Sequence, residues 1–229
     1  MVEISALPTD ESHEGSDESD EVEAAGPERL IYFSDAVIAI AITLLALELP
    51  VPDGDVHGNG GVLDFMREHL TEYAAFLISF TVVAMHWLFH QRLFRYAKGL
   101  TGGAIRWNLL WLLMIVIMPF ATKLLTSKAD AFQVQFIVYA TVQALAGLFL
   151  WLAFSALQRS GLLRAQTPPL VITDTLSWIA AVILTFTASI PVALVTHSAS
   201  LCWLLLPAVR FALRFARRPL RASGGTMQV

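Results

Sequence analysis

Residues 30–49 read LIYFSDAVIAIAITLLALEL and run into Pro50-Val51-Pro52. About 20 mainly apolar residues are needed to cross the roughly 30 Å of a bilayer's hydrocarbon, and Leu30–Leu49 meets that length before the prolines stop it. Four further apolar blocks follow: Tyr73–Phe94, Trp107–Leu125, Phe132–Leu157 and Leu170–Phe215. The last is too long for one helix, and Pro191 with Val195-Thr196-His197-Ser198 divides it in two. The expected fold is therefore an all-α membrane protein with six transmembrane helices. Composition agrees: 56% of the chain is hydrophobic and 15% charged, with a mean hydropathy of +0.62, whereas soluble domains carry about 25% charged residues.

Charge orients the spans. Residues 1–28 hold ten Asp or Glu and no Lys or Arg. With so little apolar content, that segment is expected to be a disordered acidic cytosolic tail. The membrane domain is expected over 29–218 and a short second tail over 219–229. With the N-terminus inside, twelve basic residues face the cytosol: Arg29, Arg92, Arg95, Lys98, Arg106, Arg159, Arg164, Arg210, Arg214, Arg217, Arg218 and Arg221. Only Arg67, Lys123 and Lys128 face the other way. Positive charge accumulates on the cytosolic side, so both termini are read as cytosolic. The C-terminal basic cluster is a topology anchor that also suits anionic lipid head groups. The first outer loop, with Asp53, Asp55, His57 and Asp64, reads as a solvated acidic loop.

Two features of the first span stand out. Asp35 is an ionisable residue inside an apolar helix. Either it faces the bundle interior and pairs there, or it caps the helix start at the interface. Arg29 lies six residues earlier, which is not same-face spacing on one helix. Ile40, Leu44 and Leu47 fall at i, i+4 and i+7 with Thr43 on the neighbouring edge, so they share one face. Such a stripe serves packing in most helices and a pore lining in some.

The run Arg29-x-x-x-Phe33-Ser34-Asp35 resembles the R-x-x-x-F-S-D signature of the endosomal and lysosomal transmembrane potassium channel family, in its single-repeat prokaryotic branch. Further landmarks support the resemblance: Ser79-Phe80, Trp87-Leu88-Phe89-His90, Asn108-Leu109 and Pro119-Phe120-Ala121-Thr122. Where many relatives carry a second histidine after His90, this chain has Gln91. The resemblance implies a homotetramer around a central pore lined by the first helix, constricted by apolar side chains. On it, Ile40, Thr43, Leu44 and Leu47 become the constriction, and Arg29, Phe33, Ser34, Asp35, Trp87, His90 and Asn108 a network that positions the helix. Potassium would be the permeating ion.

Other chemistry has little support. His86 and His90 have metal-ligand spacing, but the residues between them supply no glutamate for H-E-x-x-H chemistry. No phosphate-binding or nucleophile motif occurs, so no enzyme activity and no cofactor are expected. The single cysteine, Cys202, rules out an intrachain disulfide. Expected partners are further copies of the chain, membrane lipid and permeating monovalent cations, with no nucleic acid. The expected location is a prokaryotic cell membrane. Two alternatives stand beside a passive channel: a proton- or cation-coupled transporter carrying on Asp35, and a non-conducting membrane scaffold.

Overall fold

A computed structural model describes residues 11–54, 56–127 and 131–196, together with Trp203, Val209 and Ala212. Among the described residues six helices follow in order: α1 (Glu11–Leu47), α2 (Gly58–Glu68), α3 (Leu70–Phe94), α4 (Gly102–Leu125), α5 (Phe132–Arg159) and α6 (Pro169–Val195). Among the described residues, five stretches are long and apolar enough to cross a bilayer: Gly26–Leu47 within α1, and the whole of α3, α4, α5 and α6. The protein is thus an all-helical, multi-pass membrane protein. The sixth expected span, beyond His197, lies outside the described residues except for those isolated positions.

Two expectations shift. The acidic segment was expected to be disordered up to residue 28, yet α1 begins at Glu11 and continues through Pro27. Glutamate and alanine are good helix formers, and the transmembrane part supplies a nucleus onto which turns can propagate. Residues 1–10 lie outside the described residues. The outer loop holds an eleven-residue helix, α2, with no buried residue. Arg67 closes on Asp64 at 2.8 Å there, and Phe65 stacks on His69 at 4.2 Å. Helix α6 ends at Val195, at the start of the turn expected over Val195–Ser198, and Pro191 sits inside the helix. Transmembrane helices tolerate proline where neighbours re-satisfy the freed backbone groups.

The core forms where α5 packs on α4 and α6. Trp111, Tyr139, Phe136 and Phe154 are its large buried side chains. Gly147 brings α5 close to α6: a Cβ there would meet Ile183 Cγ1 at 2.9 Å. Small residues permit that backbone approach in lipid, where packing rather than water exclusion drives helix association. At one end of the bundle, Ala97 and Leu163 form an isolated antiparallel bridge. Lys98 N donates to Leu162 O at 3.1 Å and Arg164 N to Tyr96 O at 2.9 Å, clasping the α3–α4 and α5–α6 turns together. Helix α1 lies against α3 and α4 on the outside of this core.

Candidate pore helix

The transmembrane part of α1 divides into two faces. Ser34, Ile38, Ala41 and Leu45 are buried against the bundle. Opposite them, Ile40 is 60% exposed, Leu44 41% and Leu47 79%. Arg29, Phe33, Ala36 and Thr43 are exposed as well. Arg29, Phe33, Ala36, Ile40, Thr43 and Leu47 step alternately by four and three residues, the spacing of a heptad seam. This single subunit therefore carries a helix whose outward stripe finds no partner among the described residues. Thr43 turns its hydroxyl back to donate to Ile40 O at 2.8 Å.

One polar cluster fixes the N-terminal part of that helix. Ser34 Oγ donates to Leu30 O at 2.8 Å and accepts from Asn108 Nδ2 of α4 at 3.1 Å. Asn108 Oδ1, which can only accept, lies 3.0 Å from His90 Nε2 of α3, so that nitrogen carries the proton. The His90 ring is held between Trp111, 4.6 Å away at 6°, and Phe94, 4.3 Å away at 20°. The next residue of α1 is gripped from another row of α3. Asp35 Oδ1 accepts from Trp87 Nε1 at 2.9 Å and from Gln91 Nε2 at 2.5 Å. Trp87 and Gln91 stand one turn apart on α3, and so do His86 and His90 one position earlier. Adjacent residues of α1 are thus tied to two neighbouring helices at one level.

The sequence-derived network is therefore only partly assembled. Ser34, Asp35, Trp87, His90 and Asn108 come together. Arg29 does not: six residues of helix turn it away from Asp35, and it stands exposed on the outward stripe. Phe33 is exposed on the same stripe. Gln91 was missed, although the departure from a second histidine pointed at its position. A glutamine amide offers Asp35 a donor much as an imidazole N–H would.

At its other end α1 is tied to the same two helices. Glu48 Oε2 lies 2.5 Å from Lys123 Nζ of α4, and Tyr73 OH of α3 donates to Pro50 O at 2.9 Å. Between these anchors the stripe from Ala36 to Leu47 bears no charge. A second polar seam lies inside the bundle, away from α1. Thr122 Oγ1 donates to Ser79 Oγ at 2.8 Å, Ser79 Oγ lies 3.1 Å from Tyr139 OH, and Gln143 Nε2 donates to Tyr139 OH at 3.1 Å. His86 Nδ1 accepts from Trp111 Nε1 at 3.4 Å, so the two histidines of the metal-like spacing are engaged with different residues of α4.

A family model described as endosomal/lysosomal potassium channel TMEM175 matches residues 29–119, from Arg29 to Pro119 of α4. A protein named potassium channel from Streptomyces collinus is 34% identical over 129 residues, 56% of this chain and 61% of that one. One of the same name from Chamaesiphon minutus is 36% identical over 125 residues, 55% of this chain and 60% of that one. The chain thus spans about three fifths of the length of these curated relatives. The crystal structure of a lysosomal potassium-selective channel TMEM175 homolog from Chamaesiphon minutus superposes with a TM-score of 0.64 at 25% identity. That match covers 82% of this chain and 97% of that one. The stretch 29–119, which holds the outward stripe of α1 together with the cluster that anchors it, is thus similar to the family of the endosomal/lysosomal potassium channel TMEM175.

Proposed function

We propose that the protein is a potassium-permeable cation channel whose pore is lined by α1 from several copies of the chain. The observation that carries this reading is the two-faced α1, buried along Ser34, Ile38, Ala41 and Leu45 and open along Ile40, Leu44 and Leu47. Exposure of apolar side chains alone suits lipid equally well. Two features favour a pore instead. The open stripe includes Arg29 and the hydroxyl of Thr43, and relatives from two bacteria bear the name potassium channel.

The proposed assembly is a homotetramer, since a closed symmetric ring gives every stripe an interior to face. Ile40 would form the narrowest ring, with Leu44 and Leu47 beyond it and Thr43 adding a hydroxyl ring. Apolar rings of this kind gate by dewetting or by making an ion shed water. The chain has no T-V-G-Y-G segment for a carbonyl-lined filter. Ser34, Asp35, Trp87, Gln91, His90 and Asn108 act as positioning residues, holding α1 rather than touching the ion. Conduction is passive. The channel unit is taken as residues 29–218, flanked by cytosolic segments 1–28 and 219–229, in a prokaryotic cell membrane.

The test is single-channel recording of the purified full chain in planar bilayers, with reversal potentials between potassium and sodium. Unitary current steps distinguish a channel from a carrier working on Asp35. Ile40→Asn should raise conductance and weaken discrimination between the two ions, while Asp35→Ala should lower current without raising sodium permeability. Unchanged selectivity in Ile40→Asn with altered selectivity in Asp35→Ala would move the filter to Asp35. A stable monomer or dimer by mass measurement in detergent would overturn the tetramer.

A further inference from the structure

The ion pair at the far end of α1 joins the exposed end of the stripe to a helix of the bundle. Glu48 follows Leu47, the most exposed apolar residue of the stripe, and continues the row Ile40, Leu44, Glu48 at i, i+4 and i+8. It is the first charge met after the uncharged run from Ala36 to Leu47. The chain tightens there, with Glu48 N bonding Leu45 O and Leu49 N bonding Ala46 O, both at 3.3 Å. The side chain keeps 35% of its surface open while its Oε2 meets Lys123 Nζ, whose own side chain is 65% open. The carbonyl end of α1 adds the negative pole of its dipole at the same place.

We propose that Glu48 is the mouth charge of the pore and that Lys123 is its counter-charge, setting how strongly this entrance attracts cations. The proposal rests on the pore reading of α1. Its physics is that of a charged ring at a channel entrance, which raises the local concentration of the permeating ion. Lys123 covers part of that field, so the two ends of one ion pair act on conduction in opposite directions. A mere tether between α1 and α4 behaves otherwise: removing either end breaks the same contact and changes conduction in the same direction.

The experiment compares Glu48→Gln and Lys123→Gln channels in bilayers at about 0.01 M and about 1 M potassium chloride, where the screening length falls from about 30 Å to about 3 Å. A unit charge about 10 Å from the ion in water changes its local concentration about twofold, and several subunits multiply the effect. At low salt Lys123→Gln should therefore raise conductance about twofold or more, and Glu48→Gln should lower it by a similar factor. Both differences should vanish at high salt. Glu48→Cys, assembled and then modified with a negatively or a positively charged methanethiosulfonate reagent, sets the charge after folding. The negative adduct should restore current and the positive one suppress it, with the unsubstituted chain as control for Cys202.

Conductance changes of the same sign in both glutamine variants, or changes that persist at high salt, would overturn the proposal in favour of a tether. Two adducts with equal currents would overturn it as well. Ile40→Asn recorded in the same preparation separates the two levels. If that variant alters conduction while the Glu48 variants do not, only the mouth charge falls; if it does not, the pore reading itself falls.

Discussion

Asn108→Ala is the sharpest test of how α1 is held. The substitution removes two buried hydrogen bonds at once, from His90 Nε2 at 3.0 Å and to Ser34 Oγ at 3.1 Å. Side-chain hydrogen bonds between transmembrane helices average about 0.6 kcal/mol and reach about 1.7 kcal/mol, so the pair contributes about 1–3 kcal/mol. Ser34 keeps a partner in Leu30 O. The His90 Nε2 proton loses its acceptor inside a fully buried aromatic sandwich, which adds about 1–3 kcal/mol. The combined loss of about 2–6 kcal/mol corresponds to a fall in melting temperature of about 5–25 °C for a domain of this size. Intrinsic fluorescence during thermal unfolding of the detergent-solubilised protein reads this directly. Asn108→Asp keeps an acceptor for His90 and should lose about half as much. An Asn108→Ala protein that melts within about 1 °C of the unsubstituted chain would refute the reasoning, and so would an Asn108→Asp protein that melts as low as Asn108→Ala.

Two further outcomes follow from other contacts. Trp87 and Gln91 donate to one oxygen of Asp35, so Trp87→Phe and Gln91→Leu should each cost about 1 kcal/mol in the same melt. Together they should cost more than the sum, because the double variant leaves the carboxylate with neither donor. Simple additivity would mean that the two bonds are independent of one another. Gly147→Val should lower the melting temperature through overpacking of about 1–3 kcal/mol against Ile183. Adding Ile183→Ala should recover most of that loss, and an unrescued double variant would place the strain elsewhere.

The outward stripe was legible from spacing alone, because Ile40, Leu44 and Leu47 obey the geometry of any α-helix. Which way the stripe points was not legible: periodicity finds a face but not what it meets. The partners of Asp35 were half legible. The resemblance drew attention to Trp87 and to the residue after His90, yet a comparison built on histidine cannot say that a glutamine makes the bond. Arg29 shows the opposite failure, since a signature groups residues by sequence while a continuous helix sends this one to the far face. Helix α2 was hidden because a short run such as Val62, Leu63, Phe65 and Met66 gives too few turns to stand out among glycines and acids. The Glu48–Lys123 pair joins residues 75 positions apart and leaves no local trace.

Thr43 has one further consequence. Its hydroxyl proton is committed to the carbonyl of Ile40, so what the oxygen has left to offer is electron pairs. A ring of such oxygens around an axis is one-sided in its chemistry: it gives electron density to whatever passes and has no hydrogen to give. A cation losing part of its water shell just beyond Ile40 would find replacement ligands there at once. A chloride ion at the same level would find none. Discrimination by sign would then come from the direction of one backbone-bound hydrogen rather than from any formal charge on the wall.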